Sequence, residues 1–334
     1  MSVVYLTKQG TCITKERGRM VVSDEQIELF STPWAKIESV IIFGNIQLST
    51  QAIGALLEHD INVSFLTTEG VLKGELISYK SKNSVIKLNQ YETAMNNKRA
   101  LDIAAAIVQK KISNQLKILK EFKSNHPEVD FFDPEYSINN ALNKVNEFKS
   151  RLKNYNAEPE LNRQTLMGLE GIASKNYFSA MRQMFTGELK FSTRSRRPPL
   201  DEVNAILSLG YTLLGIKISA IIRSIGFEPM IGFLHSVEYG RESLMLDILE
   251  LFRQPVVDKL AMNMCNKLML NKDDFENRDG GIYLKPDKMS KFIKEFEETV
   301  GIKKETGVTV YQRITAQVHE LARAIQDRID YKPI

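Results

Sequence analysis

The chain has 334 residues, 43% of them hydrophobic, so it is long enough for two domains and can bury a core without help from disulfides or metals. No run of about 18 apolar residues occurs, which argues against a membrane-spanning helix, and the N-terminus lacks the basic segment and long apolar stretch of a signal peptide. The two cysteines lie far apart and indicate reduced thiols in a cytoplasmic protein, while the net charge of +4 permits a polyanionic partner without requiring one.

The first 80 or so residues are rich in short β-strand patterns. Runs of β-branched residues, separated by turn-forming Gly, Asn and Asp, predict strands at residues 2–6, 11–14, 19–22, 39–42 and 63–66. One helix is predicted among them at residues 51–58, with Thr50 as its cap. A small β-sandwich is the architecture that this pattern favours. The mostly polar segment that follows, residues 81–91, is predicted to be a linker.

From Glu92 onward the hydrophobic period changes to that of helices. Apolar residues recur at spacings of three and four along the first of them, at Ala104, Ile107, Val108, Ile112, Leu116 and Leu119. Further helices are predicted at about 138–153, 161–185, 201–225, 243–271, 287–299 and 308–329, and Pro255 should kink or divide its helix. The predicted fold class is therefore α+β, with a small N-terminal β-sandwich-like domain at 1–80 and a larger all-α domain at 92–334.

One of the four histidines lies in an unusual setting. His235 follows a glycine- and proline-containing segment that begins at Gly226, where a helix is predicted to end. The next helix carries Asp247 and Glu250, which are three residues apart and therefore share a face. Two acids on so apolar a helix are costly to bury unless a cation meets them. That cation is either an arginine or a divalent metal such as Mg²⁺ or Mn²⁺, and these residues alone leave both open.

A third carboxylate, Glu170, lies in an apolar helical stretch between Gly168 and Gly171. Glycine costs about 1 kcal/mol at each interior helix position, so a pair of glycines suggests that something must approach the backbone closely. The alternative is tight packing between helices, with Glu170 reaching solvent.

A basic cluster follows, in a loop with no acidic residue between Leu189 and Leu200. A solvated loop is the usual meaning of such a run, but guanidinium groups on a proline-stiffened loop also bind phosphates. The residues of the cluster are Lys190, Arg194, Arg196 and Arg197.

Taken together, these segments resemble the Cas1 family of CRISPR-associated integrases. The Gly-Leu-Glu-Gly run at 168–171 is similar to the family helix that carries the first metal-binding glutamate, and residues 196–205 resemble its Arg-Pro-Pro-Asp-Asn-Ala stretch. Residues 226–255 resemble the most diagnostic block of the family. The β-rich head and helical body also fit its two-domain plan, although the first 150 or so residues match by architecture more than by motif.

The resemblance implies a site at which Glu170, His235 and Glu250 hold Mg²⁺ or Mn²⁺, with Asp247 close by as a further catalytic residue. Glu250 is expected to be the inner ligand rather than Asp247, because its distance from His235 is the more usual one. A phosphate-binding surface is expected to include Lys190, Arg194, Arg196, Arg197, Arg223 and Arg241, with Tyr177 as a stacking contact.

The resemblance also implies an activity and an assembly. The helical domain would be a metal-dependent DNA endonuclease and integrase of CRISPR adaptation, which joins the 3′-hydroxyl ends of a spacer to the repeat by transesterification. The β-rich domain at 1–80 would form a homodimer, and two dimers would be bridged by the small protein Cas2 in a heterohexamer on double-stranded DNA. Two alternatives stay open: a stand-alone metal-dependent nuclease for branched or single-stranded DNA, and a non-catalytic DNA-binding scaffold.

Overall fold

The computed structural model describes residues 2–25, 27–78, 83–128, 134–157, 161–301 and 307–334. The backbone contacts divide the chain into two units, Met1–Ser81 with Leu284–Ile293 and Lys82–Tyr283 with Lys294–Ile334. Strands dominate the first unit and helices the second, so the predicted α+β fold class is confirmed. The predicted role of the β-rich unit in dimerisation stays a prediction.

Two four-stranded sheets form the β-rich unit. In spatial order, the first sheet consists of β1 (Ser2–Leu6), β5 (Ile37–Phe43), β7 (Asn62–Leu66) and β8 (Leu72–Leu76). The second consists of β4 (Ile27–Pro33), β3 (Arg19–Asp24), β2 (Cys12–Glu16) and β6 (Gln47–Leu48). Their apolar core includes Ile13, Met20, Trp34, Val40, Ile42, Leu56 and Val63.

The parallel pairing of β5 with β7 requires a crossover, because parallel strands cannot be joined by a hairpin. That crossover contains α1 (Thr50–Glu58), which is capped by Ser49, whose side chain accepts a hydrogen bond from the Ala52 N–H at 3.2 Å. The cap predicted at Thr50 was one residue too late.

Strands β4 and β8 were absent from the predicted elements. In β4, the adjacent pair Leu29 and Phe30 breaks the alternation of apolar and polar residues, and both are exposed on this edge strand. In β8, the sequence carries two charges and Gly74, which weaken a strand pattern.

The helical unit contains the remaining helices. They are α2 (Ser84–Met95), α3 (Asn97–Asn125), α4 (Glu135–Arg151), α5 (Arg163–Met184), α6 (Glu202–Ile225), α7 (Ser243–Leu249), α8 (Lys259–Asn266), α9 (Pro286–Gly301), part of which belongs to the β-rich unit, and α10 (Val310–Gln326). The whole apolar stripe predicted along α3 is buried. A π-helical turn at Arg253–Asp258 contains Pro255 and separates α7 from α8, as predicted.

Two segments differ from the predicted organisation, which was a linker at 81–91 followed by an all-α domain at 92–334. The predicted linker falls largely on α2, whose first turn is capped by Asn83 and whose Gln90 is fully buried. Gln90 hydrogen bonds to the backbone of Glu228 and Ile231, so α2 helps to fix the segment that leads to His235. The second difference is a hairpin of β9 (Phe275–Arg278) and β10 (Gly281–Leu284).

Within the described residues, α6 is long and apolar enough to cross a membrane by length and composition. However, 83% of its apolar 18-residue window is buried within the protein, so packing in a core accounts for its apolar sequence.

Candidate metal centre and nucleic-acid surface

Two glycines shape the loop that carries His235. Helix α6 ends at Gly226, whose φ of 108° lies in the left-handed region that favours glycine. A Cβ added at Gly232 would lie 2.8 Å from the backbone of α7 and 2.9 Å from the Asp247 carboxylate. Because Gly232 lacks a Cβ, the loop backbone packs directly against α7.

The side chain of Asp247 binds backbone N–H groups of that loop. Its fully buried carboxylate accepts hydrogen bonds from the N–H groups of Phe233, Leu234 and His235, at 2.6, 3.0 and 2.9 Å. The same carboxylate lies 2.7 Å from Nδ1 of the His235 ring. A carboxylate only accepts, so Nδ1 carries a proton and Nε2 is the nitrogen available to a ligand.

Glu170 and Glu250 converge on a single cation, the ammonium of Lys111. Lys111 on α3 forms an ion pair with Glu170 on α5, and its Nζ lies 2.6 Å from Glu250 Oε2. The Lys111 and Glu250 side chains are 9% and 6% exposed, whereas Glu170 retains 22%. Among the described residues, the buried Oε2 of Glu250 meets no donor besides this ammonium, so it keeps capacity to accept.

Glu250 stays ionised despite its burial. Burial alone would raise its pKa, but the guanidinium of Arg253 and the ammonium of Lys111 outweigh this and hold the pKa at about 2. His235 contributes in the same direction. Arg253 itself is fixed by an ion pair with Glu250 at 3.2 Å and lies 4.5 Å from the centre of the Tyr211 ring.

No three His, Cys, Asp or Glu side chains among the described residues form a ready-made metal cluster. The structure brings Glu170 and Glu250 together through Lys111, and it joins His235 to Asp247. The assignment of Glu170, His235 and Glu250 as metal ligands stays a prediction.

Tyr177 lies in the protein interior, so its predicted role as a DNA-stacking residue is wrong. It is fully buried, and its hydroxyl donates to the Asp258 carboxylate at 2.8 Å, while Tyr211 donates to the other oxygen at 2.5 Å. Burial raises the pKa of Asp258 to about 6, although these two hydrogen bonds oppose the rise. A ring enclosed in this way cannot stack on a nucleobase.

Comparison with known proteins identifies the family. A family model described as CRISPR associated protein Cas1 matches residues 4–298. The chain belongs to the Cas1 family. A relative from Thermodesulfovibrio yellowstonii, named CRISPR-associated endonuclease Cas1 1, is 34% identical over 306 residues, which cover 90% of this chain and 92% of the relative.

Solved structures agree with this Cas1 assignment. A Cas1 protein from Thermotoga maritima is 25% identical with a TM-score of 0.82, and 97% of each chain is covered. A casposase bound to integration product has a TM-score of 0.85 at 24% identity, covering 99% of this chain and 93% of the casposase. A Cas6-RT-Cas1–Cas2 complex has a TM-score of 0.82 at 24% identity, covering 99% of this chain and 36% of that one. At 24% identity, the last two similarities establish the fold.

The glycines beside Glu170 face open space in this Cas1 protein. No described atom outside the helix lies within 4 Å of a Cβ added at Gly168 or Gly171. Within the described residues, no other segment approaches the helix backbone closely at these glycines. Neither the suggested close approach nor tight packing against another helix therefore occurs at these two positions. The same face of α5 exposes Met167 and Ile172, which are 44% and 52% accessible.

Three of the arginines predicted to bind phosphate have partners within the chain. The Arg194 guanidinium donates to Asn204 Oδ1 at 2.7 Å and lies over the Tyr211 ring, and burial lowers its pKa to about 10. Arg223 pairs with Glu242, and Arg241 lies 2.6 Å from Glu238. These contacts hold the basic loop against α6 through Arg194, and the binding of phosphate by Arg194 stays a prediction.

Lys190, Arg196 and Arg197 are exposed and remain available to a polyanion. Of the residues predicted to contact DNA, these three match that role by position. Their binding to DNA stays a prediction.

Lys111 is the main site residue that the sequence reasoning missed. It lies within the apolar stripe of α3, next to Ile112, where an interior position is expected to be apolar. A lysine at such a position needs a buried anion, and that signal could have identified it. Ser174 was also missed: its hydroxyl donates to Glu170 Oε1 at 2.6 Å and accepts from Gln115 at 3.1 Å.

Proposed function

We propose that this Cas1 protein is a metal-dependent DNA endonuclease and integrase that joins the 3′-hydroxyl ends of a spacer to the CRISPR repeat by transesterification. The observation that carries the proposal is the convergence of Glu170 and Glu250 on one cation, together with an imidazole that Asp247 orients. The relative named as an endonuclease and the casposase bound to integration product support the same chemistry.

The residues fit Mg²⁺ or Mn²⁺ held by Glu170, His235 and Glu250. Both carboxylates already meet one cation, and within the described part of the chain the buried Oε2 of Glu250 meets no other donor. His235 presents Nε2, because its Nδ1 faces Asp247. Two carboxylates and one imidazole form a donor set that suits these metals and leaves positions for water or substrate oxygens.

Asp247 is better suited to orient His235 than to bind the metal. Its two oxygens already accept from three backbone N–H groups and from the imidazole. This is the arrangement in which a carboxylate fixes the tautomer of a metal-binding histidine. Glu250 is therefore the inner ligand in this proposal.

When bound, the metal would polarise the phosphodiester and stabilise negative charge on its oxygens and on the leaving 3′ oxygen. The chain's own residues prepare the site. Asp247 holds the proton on Nδ1 of His235, Arg253 keeps Glu250 ionised, and Ser174 orients Glu170. The attacking group would be a spacer 3′-hydroxyl in strand transfer or water in nicking.

DNA would reach the metal across two exposed features. The first is the basic loop with Lys190, Arg196 and Arg197, which can bind phosphates without reading sequence. The second is the open face of α5, where Gly168 and Gly171 leave room for a sugar–phosphate backbone beside Glu170.

The proposed assembly is a homodimer through the β-rich units, with two dimers bridged by Cas2 on double-stranded DNA. A structurally similar chain occurs in a complex named for Cas1 and Cas2, which supports Cas2 as a partner. We place the protein in the cytoplasm, where spacer DNA and the CRISPR array occur.

The test is an integration assay with purified protein, Cas2, a short duplex with free 3′ ends and a plasmid that carries the repeat. Glu170→Ala, His235→Ala and Glu250→Ala should each abolish strand transfer at saturating metal. Each variant is assayed under conditions in which it is folded, because Glu250→Ala leaves the buried Lys111 and Arg253 with one anion fewer. The matched control is His319→Ala, which removes an exposed histidine of α10 and should leave turnover unchanged.

The outcomes separate the alternatives. Nicking without joined products would favour the stand-alone nuclease, and DNA binding without any metal-dependent cleavage would favour the scaffold. A ligand variant that keeps near wild-type turnover would show that its residue does not hold the metal.

A further inference from the structure

Lys111 occupies an unusual position for an ammonium group. It lies on the buried face of α3, and its side chain is only 9% exposed. A charge so far from water needs anionic partners, and Glu170 and Glu250 are those partners. The two carboxylates that the proposed metal requires are thus already neutralised by a residue of the chain.

Two cations and two anions make direct contact at this site, and the buried carboxylate of Asp258 adds to the charges that act on Arg253. Lys111 and Arg253 bring two positive charges, and Glu170 and Glu250 bring two negative charges. A divalent cation that binds the same two carboxylates would take the place of the Lys111 ammonium and add positive charge beside Arg253, so one of the resident cations must withdraw.

Lys111 is the cation that can move. Arg253 is held in place by its ion pair with Glu250 and by the Tyr211 ring, 4.5 Å from its guanidinium carbon. A lysine carries a compact charge on a flexible stem of four carbons, which can swing without moving the backbone. Glu170 is the more exposed of the two carboxylates, so the way out for the ammonium lies on its side.

We propose that Lys111 competes with the divalent cation for Glu170 and Glu250, and that metal binding displaces its ammonium toward the exposed side of the site. This inference rests on the proposed metal centre. When the metal is absent, the Lys111 ammonium offsets the repulsion between the Glu170 and Glu250 carboxylates. Because it must be displaced when the metal binds, it also lowers the affinity of the site for the metal. In its displaced position, the ammonium would lie on the exposed side of the site, from which a phosphodiester would enter.

The experiment is a calorimetric Mn²⁺ titration of the full-length protein without DNA. Lys111→Met removes the competitor, so the Kd for Mn²⁺ should fall at least about tenfold, because unit charges a few ångströms apart interact strongly away from bulk water. Lys111→Arg keeps the charge and binds carboxylates bidentately, so it should not lower the Kd for Mn²⁺. The matched control is Lys110→Met on the same helix, where Arg313 and Lys117 are the neighbouring charges and no change is expected.

A Kd in Lys111→Met that is equal to or higher than the wild-type value would overturn the inference. If the methionine variant fails to fold, Lys111→Gln provides the same comparison with a side chain that can still donate to one carboxylate. If Mn²⁺ binding to wild type is absent, or unchanged in Glu250→Gln, the metal centre itself is refuted along with this inference. Normal binding that Lys111→Met leaves unaltered refutes the inference alone.

Discussion

Asp247→Asn tests how the His235 loop is organised. The asparagine side chain has a single acceptor oxygen, so it can keep the hydrogen bonds of only one of the two Asp247 carboxylate oxygens. If its NH₂ took the place of Oδ2, it would face the N–H groups of Phe233 and Leu234, and two hydrogen bonds would be lost. If it took the place of Oδ1, it would face the His235 N–H and could still donate to Nδ1, provided that the ring proton moved to Nε2.

The second arrangement loses fewer hydrogen bonds and is therefore expected. One hydrogen bond to a charged acceptor is lost, so the free energy of unfolding should fall by about 1.5–3 kcal/mol. The imidazole would then present an N–H where a metal needs a lone pair. Loss of an outer-shell partner of this kind typically costs about 10–100-fold in metal affinity, so strand transfer should fall but stay measurable, in contrast to Glu250→Gln.

Three measurements check this expectation. Denaturant unfolding of metal-free protein gives the stability change, Mn²⁺ titration gives the affinity, and ¹⁵N chemical shifts of the imidazole report which ring nitrogen carries the proton. Asp327→Asn, at an exposed carboxylate that ends α10, is the control and should change none of them. Wild-type stability and Mn²⁺ affinity in Asp247→Asn would refute the assignment of Asp247 as the residue that orients His235.

Three further predictions follow from buried and exposed features. Tyr177→Phe should lower the free energy of unfolding by about 1–3 kcal/mol, through loss of its hydrogen bond to Asp258, and leave the Kd for DNA unchanged. Weaker DNA binding at native stability would show that the hydroxyl contacts DNA rather than Asp258. Gly171→Ala should raise the melting temperature, because alanine favours a helix by up to about 1 kcal/mol and its Cβ meets open space. The same methyl group should slow strand transfer, because it narrows the room proposed for DNA beside Glu170. Unaltered turnover would show that DNA does not pass over this face of α5. Replacing Arg196 and Arg197 by alanine should reduce the log–log salt slope of duplex binding by about 1.8, and an unchanged slope would mean that their charges are merely solvated.

Local signals in the sequence determined most of the helical unit. The spacing of apolar residues predicted α3, Gly226 marked the end of α6, and Pro255 marked the division between α7 and α8. These signals are local because a helix is formed by hydrogen bonds four residues apart and is ended by the conformation of single residues. The motifs around Glu170 and His235 likewise carried enough information to predict the Cas1 family.

Helix α2 shows where local pattern was insufficient. Its apolar residues form no strong stripe, so the segment resembled a polar linker. It is nevertheless helical, with an Asn83 cap, and its buried Gln90 binds backbone groups 138 and 141 residues away. Tertiary contacts of this kind override weak local propensity.

Only the tertiary structure decided what the charged and aromatic residues of the site do. Lys111 lies 59 residues from Glu170 in the sequence, and no pattern within α3 or α5 reveals that the two meet. The same holds for Tyr177, which packs against Asp258 rather than DNA, and for Arg194, whose charge is taken up by α6. A side chain of given chemistry can bind solvent, substrate or another part of the chain. Which of these it does depends on the partners that helix packing places within a few ångströms of it.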